Sequence, residues 1–116
     1  MAPPSNIPNR GVIIGENVFR GKVQPIYLDY PDRAHHLEII GQAGTCKSTS
    51  LINLAVQDIK QGKGVAIVDP EGDIIQGVAG MIPRERLADV IYLDPTDIRH
   101  PFGLNLLEFN PDRPEE

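Results

Sequence analysis

An α/β layer, in which a parallel sheet is flanked by helices, is the architecture this sequence predicts, on three observations. Short apolar runs recur at residues 36–40, 65–68 and 90–93. An amphipathic helical stretch separates the first two runs, and a weaker helical pattern separates the second pair. A glycine-rich turn joins the first run to the first helix. Strands that alternate with helices in this way pair in parallel through right-handed crossovers.

Composition sets the outer bounds. A chain of 116 residues with 41% hydrophobic content is long and apolar enough for one domain, or part of one, with a packed core. Its net charge of −5 argues against a surface that grips nucleic acid by bulk electrostatics, which needs clustered Lys and Arg. Cys46 is the only cysteine and has no internal partner, so a reducing, cytoplasmic setting is expected. No apolar run approaches the roughly 20 residues that cross a bilayer. The N-terminus also lacks a basic region followed by an apolar one, so neither export nor a membrane span is expected.

Residues 1–10 hold three prolines and two asparagines, which predicts a disordered or loosely attached arm. Residues 11–30 form a short β entry segment: Val12-Ile13-Ile14 and Pro25-Ile26-Tyr27-Leu28 flank a polar, glycine-containing stretch that suits an antiparallel ribbon. The core is expected over residues 31–109. Its first strand, 36–40, leads into Gly41. A helix from near Lys47 then presents Ile52, Ala55, Val56 and Ile59 on one face, leaves Gln57, Asp58, Lys60 and Gln61 polar, and stops at Gly62 and Gly64.

Val65-Ala66-Ile67-Val68 runs without polar alternation, as a parallel strand covered on both faces does, and Asp69-Pro70 closes it. The second helical pattern uses Ile75, Val78, Ala79 and Ile82 with Asp73 as its cap, although Gly77 and Gly80 weaken it. Pro83 suits the opening of a short turn through Leu87. Val90-Ile91-Tyr92-Leu93 is the third strand, closed by Asp94-Pro95. An apolar cluster at 102–109 and a polar tail at 110–116 follow. Three strands make a thin sheet where about five are usual, so the domain reads as truncated on its C-terminal side.

The chemistry concentrates in one segment. Gly41-Gln42-Ala43-Gly44-Thr45-Cys46-Lys47-Ser48 fits the phosphate-loop pattern G-x-x-x-x-G-K-[ST] everywhere except at Cys46, which replaces the second glycine. Such a loop turns successive backbone N–H groups toward an anion, and the following helix N-terminus adds its partial positive charge. Lys47 is then expected to pair with the β- and γ-phosphates of ATP as the catalytic lysine, and the Ser48 hydroxyl to ligate Mg²⁺, with Thr49 assisting at the helix start. A turn that merely caps a helix would not require Gly41, Gly44, Lys47 and Ser48 together. A side chain at position 46 costs about 1–3 kcal/mol in a conformation suited to glycine, which weakens binding without abolishing it. The thiol is also a candidate for oxidative regulation, against the plainer reading of a tolerated or inactivating substitution.

Around this loop the sequence resembles a known family. Asp32-Arg33, residues 36–40, Gly41-Gln42-Ala43-Gly44-Thr45, Val68-Asp69-Pro70-Glu71-Gly72-Asp73 and Tyr92-Leu93-Asp94-Pro95 are similar to the first part of the motor domain of type IV secretion coupling proteins and HerA-FtsK-type DNA translocases. The likeness covers residues 14–106, with Glu71 where many members have His. It implies a RecA-like P-loop NTPase core that binds ATP and Mg²⁺, assembles as a homo-hexameric ring and moves DNA through its channel. Gly41, Gly44, Lys47 and Ser48 match the family's phosphate and metal contacts, whereas Cys46 departs from its glycine. The Walker B carboxylates and arginine finger of such motors lie well downstream, past Glu116. The expected function is therefore the ATP-binding N-terminal portion of a DNA-translocase or conjugative coupling-type motor, binding nucleotide without hydrolysing it unaided. The alternative is a catalytically dead fragment or interaction module that keeps the fold and binds no nucleotide. A GTP-binding switch is disfavoured because no Asn-Lys-x-Asp segment is present.

Other constellations have plainer readings. Asp69 and Asp94 each precede proline, as turn-forming residues do, with Asp69 the better outside candidate for the metal because it ends a strand beside the loop. His35, His36 and distant His100 make no ligand set of recognised spacing. Arg84, Glu85 and Arg86 read as a solvated helix face. Asp69, Glu71 and Asp73 lack the EF-hand pattern.

Overall fold

A computed structural model describes residues 7–103. The arm expected at 1–10 falls partly outside the described residues. Most of the apolar cluster at 102–109 and all of the tail at 110–116 also lie outside them.

Strands β1 (Val12–Phe19) and β2 (Lys22–Leu28) pair antiparallel, with Val12 opposite Leu28 and Phe19 opposite Lys22. Arg20 and Gly21 join them with φ of 50° and 77°, so both turn residues have the positive φ that a tight hairpin with right-handed strand twist demands. A bulge falls between Ile13 and Gly15. Helix α1 (Tyr30–Arg33) is a single turn started by Asp29, whose side chain accepts from the Tyr30 amide at 2.8 Å. His36 closes that turn with φ 72°, so the segment leaves α1 through a left-handed residue rather than entering a strand there.

Helix α2 (Lys47–Lys60) is the longest element and runs almost where its apolar spacing predicts. Val56 is buried and Ile52, Ala55 and Ile59 are half-buried, joined by buried Leu54. Helix α3 (Asp73–Ala79) packs against it. Gly77 permits that approach, because a Cβ there would lie 2.6 Å from the Ile52 Cδ1. The glycine that weakens the helical pattern in the sequence is thus the residue that lets two helices touch. A 3-10 segment, Arg84–Asp89, follows Pro83. Among the described residues the buried apolar set is Val12, Leu54, Val56 and Val78.

The face of α2 read as solvated is instead its attachment to the rest of the chain. Gln57 lays its amide along the Ile13 peptide, accepting from the Ile13 N–H at 2.8 Å and donating to the Ile13 carbonyl at 2.9 Å. It thereby pairs with the edge of β1 as a neighbouring strand would, beside the bulge. Asp58 is buried and receives both Nη atoms of Arg33, at 2.8 and 2.5 Å. Gln61 accepts from the Tyr30 hydroxyl. At the far end Arg86 donates to the Ile59 carbonyl at 3.0 Å, beside the Gly62 amide on the same oxygen, which places a cation at the C-terminal end of α2. Arg86 therefore belongs to a helix cap, not to a solvated face.

The expectation of a RecA-like α/β core is corrected by this structure. Among the described residues the sheet consists of β1 and β2 alone, and it is antiparallel. Residues 37–40, 65–68 and 91–93 make no backbone hydrogen bond among the described residues. A β-branched run becomes a strand only when a neighbour satisfies its peptide groups; residues 65–67 and 90–93 line one cleft, yet among the described residues no backbone hydrogen bond joins them. Nor do helices cover both faces of a sheet: Ile40 is 85% exposed, Val68 94% and Ile91 84%. Among the described residues the elements are a hairpin, three helices and a 3-10 turn.

The Arg33–Asp58 pair gives a test of how α1 is held. Asp58→Ala strands the guanidinium and is expected to cost about 2 kcal/mol in denaturant unfolding. A loss below about 0.5 kcal/mol would mean that packing alone fixes α1 on α2.

Candidate functional site

The loop of residues 41–46 enters α2 directly, so its geometry is set by where that helix begins. The sign of φ alternates along it: Gly44 is at +79°, Thr45 is not positive, Cys46 is at +62°, and Lys47 begins the helix. Alternating handedness of this kind turns consecutive amides to one side as an anion-binding concavity. Among the described residues the N–H groups of Gly44, Cys46, Lys47, Ser48 and Thr49 have no hydrogen-bond acceptor, whereas Ser50 N–H starts the helical ladder on the Cys46 carbonyl at 3.0 Å. These free donors coincide with the positive end of the α2 dipole.

Cys46 occupies the left-handed region with φ 62° and ψ 26°, the backbone state that a glycine at this place of the pattern would supply. Its side chain is exposed. The substitution therefore keeps the bend at the cost of strain rather than rebuilding the loop. Gly41 has a different reason to be glycine: a Cβ there would lie 2.5 Å from the Thr45 Oγ1.

One carbonyl gathers the loop. The Gln42 oxygen accepts from the Thr45 hydroxyl at 2.7 Å, the Lys47 ammonium at 2.7 Å and the Thr45 amide at 3.3 Å. The phosphate-loop pattern leaves position 42 unspecified, and the acceptor is main chain, so no residue type signals it. Ala43, Ser48 and Thr49 are exposed, as is Gln42. The nine residues picked from the sequence, 41–49, thus form one contiguous bend and first helical turn.

The candidates outside the loop resolve into structural roles. Asp69 does not reach for a metal with free oxygens: it accepts from the amides of Ile74 at 2.8 Å, Ile75 at 3.2 Å and Glu71 at 3.2 Å, and so caps α3. Asp73, expected as that cap, is the first residue inside the helix. Desolvation works against the charged carboxyl of Asp69, but the amides of Ile75, Ile74, Glu71 and Gly72 outweigh it and hold its pKa below the usual value. Asp94 accepts from the Thr96 amide at 2.8 Å and its hydroxyl at 2.7 Å, a turn of the same chemistry. His35 lies 3.1 Å from the Pro31 carbonyl. Among the described residues no group of three or more His, Cys, Asp or Glu side chains is placed to hold a metal.

A cleft of about 500 Å³ opens at the other end of α2, lined in part by Ile59, Val65, Val78 and Leu93. It sits roughly 20 Å along the helix axis from Lys47, so it is not part of the loop. Among the described residues no helix is long and apolar enough to cross a membrane. No family model, curated protein or solved structure matches the chain.

The role of Asp69 is directly testable. Because its pKa is lowered in the folded state, its stabilising contribution is complete above the ordinary value of 3.8 and fades as pH falls through the lower folded value. Asp69→Ala should lower the thermal midpoint at neutral pH, with the difference from wild type shrinking in strong acid. Mg²⁺-dependent affinity for an ATP analogue should stay intact in the same variant, and its loss would return Asp69 to the metal site.

Proposed function

We propose that residues 41–49 bind a nucleoside triphosphate, taken to be ATP, together with Mg²⁺. The single observation that carries this reading is the set of free amides of Gly44, Cys46, Lys47, Ser48 and Thr49 across a bend of alternating φ, at the N-terminus of the longest helix. Phosphate oxygens are the acceptors that such a bend suits, since each amide contributes a donor without moving the backbone. Lys47 stands beside them with its ammonium on a neutral carbonyl, a partner it would exchange for a polyphosphate at a gain in charge-assisted bonding. Ser48, exposed at the second helical position, supplies the hydroxyl for Mg²⁺. That ion is commonly held by one or two protein oxygens, with phosphates and water completing its octahedron.

The reading concerns the loop and its helix and requires no parallel sheet. Asp69 and Asp94, the acids weighed for the metal, are engaged by backbone amides in capping and turn bonds, so binding rather than hydrolysis is the proposed activity. A place in cytoplasmic DNA-moving or conjugative coupling machinery is proposed from the sequence resemblance alone. DNA contact and ring formation belong to that same proposal.

Two substitutions test the loop in opposite directions, read by calorimetric titration with a non-hydrolysable ATP analogue and Mg²⁺. Lys47→Ala should weaken binding by about 10- to 100-fold, the worth of a charge-assisted hydrogen bond. Cys46→Gly should tighten it. The gain in affinity comes from removing a side chain beside the free amides where the pattern has none, because the left-handed backbone state is already present without ligand. Absence of saturable binding by the unaltered protein would end the nucleotide assignment.

A further inference from the structure

The Gln42 carbonyl is offered more donors than it can hold well. A carbonyl oxygen has two lone pairs, yet three groups donate to this one: the Lys47 ammonium, the Thr45 hydroxyl and the Thr45 amide. We propose that Thr45 is a positioning residue for triphosphate binding, whose hydroxyl keeps the Gln42 carbonyl satisfied when Lys47 leaves it for phosphate. The inference rests on the nucleotide reading of the loop and deepens it, by assigning work to a position that the phosphate-loop pattern leaves open.

Lys47 reaches Gln42 by folding its flexible stem back across the bend, and an ammonium moves readily to a charged acceptor. Once it has moved, the two donors of Thr45 match the two lone pairs, and the bend keeps its frame. Without the hydroxyl the carbonyl would retain only the amide at 3.3 Å, a long contact. The ammonium would then be held back by an acceptor that needs it, and phosphate would have to compete with the loop itself. Gly41 belongs to this arrangement, because the space a Cβ would fill there is taken by the Thr45 Oγ1. The threonine hydroxyl therefore lies against Gly41 while it donates to the Gln42 carbonyl.

Three variants separate this role from general stability. Thr45→Val keeps the shape and removes the hydroxyl, and it should raise the Kd for the ATP analogue by about three- to tenfold. Its thermal midpoint without ligand should stay within about 2 °C of wild type, because Lys47 still serves the carbonyl when no phosphate is present. Thr45→Ser restores the donor and should return the Kd to within about twofold of wild type. Thr45→Ala should weaken binding as the valine variant does. Equal affinity of Thr45→Val and wild type would overturn the positioning role while leaving nucleotide binding in place. A loss of affinity matched by a large drop in midpoint, or not restored by serine, would overturn it too, by making the residue merely structural. If the unaltered protein binds no analogue, the nucleotide reading falls first and this role falls with it.

Discussion

Helix α2 is the element on which the other parts of this chain are hung, and the contact that makes it so is polar. Gln57 completes the edge of β1 with its side-chain amide, and the adjacent Asp58 clamps Arg33 of α1 through two bonds. Both residues sit in the last turn of the helix, so hairpin and first turn are fixed to the same rigid rod whose N-terminus carries the loop. The opposite flank of the rod takes α3 through the close approach at Gly77, and Arg86 sits at its C-terminal end. With few apolar side chains fully buried, directional bonds do much of the positioning that a large core does elsewhere.

How much of this is legible in the sequence depends on the range of the interaction. Local signals read well: the 3.6-residue spacing from Ile52 to Ile59 marks α2, and Pro83 sits immediately before the 3-10 turn. The phosphate-loop pattern likewise marks a bend whose conformation at Cys46 is the one its missing glycine would adopt. The long-range features read poorly. Gln57 and Asp58 look like solvent-facing residues because helical periodicity reports hydrophobicity and is silent on which amide meets which peptide across 44 positions. Gly77 looks like a helix breaker because propensity knows nothing of Ile52.

The largest difference concerns residues 36–40, 65–68 and 90–93. Their composition is that of buried strands, and an apolar run bounded by turn residues has no other local signature. Pairing, however, is a property of two segments, and each run alone says nothing about whether a neighbour will supply its missing bonds. The closing Asp-Pro pairs did not mislead in the same way, since Asp69 and Asp94 perform the short-range turn and capping chemistry their type favours.

Those bare runs have a cost in handling as well as in architecture. Val68 and Ile91 present most of their side chains to water, in runs whose peptide groups at 65–68 and 91–93 are unpaired among the described residues. A ribbon of that kind is adhesive: its amide hydrogens trade rapidly with solvent deuterium, and kosmotropic salts, which strengthen apolar association, drive molecules together through it. Solubility of the purified chain should therefore fall as sulfate is added, although the same salt stabilises its folded elements.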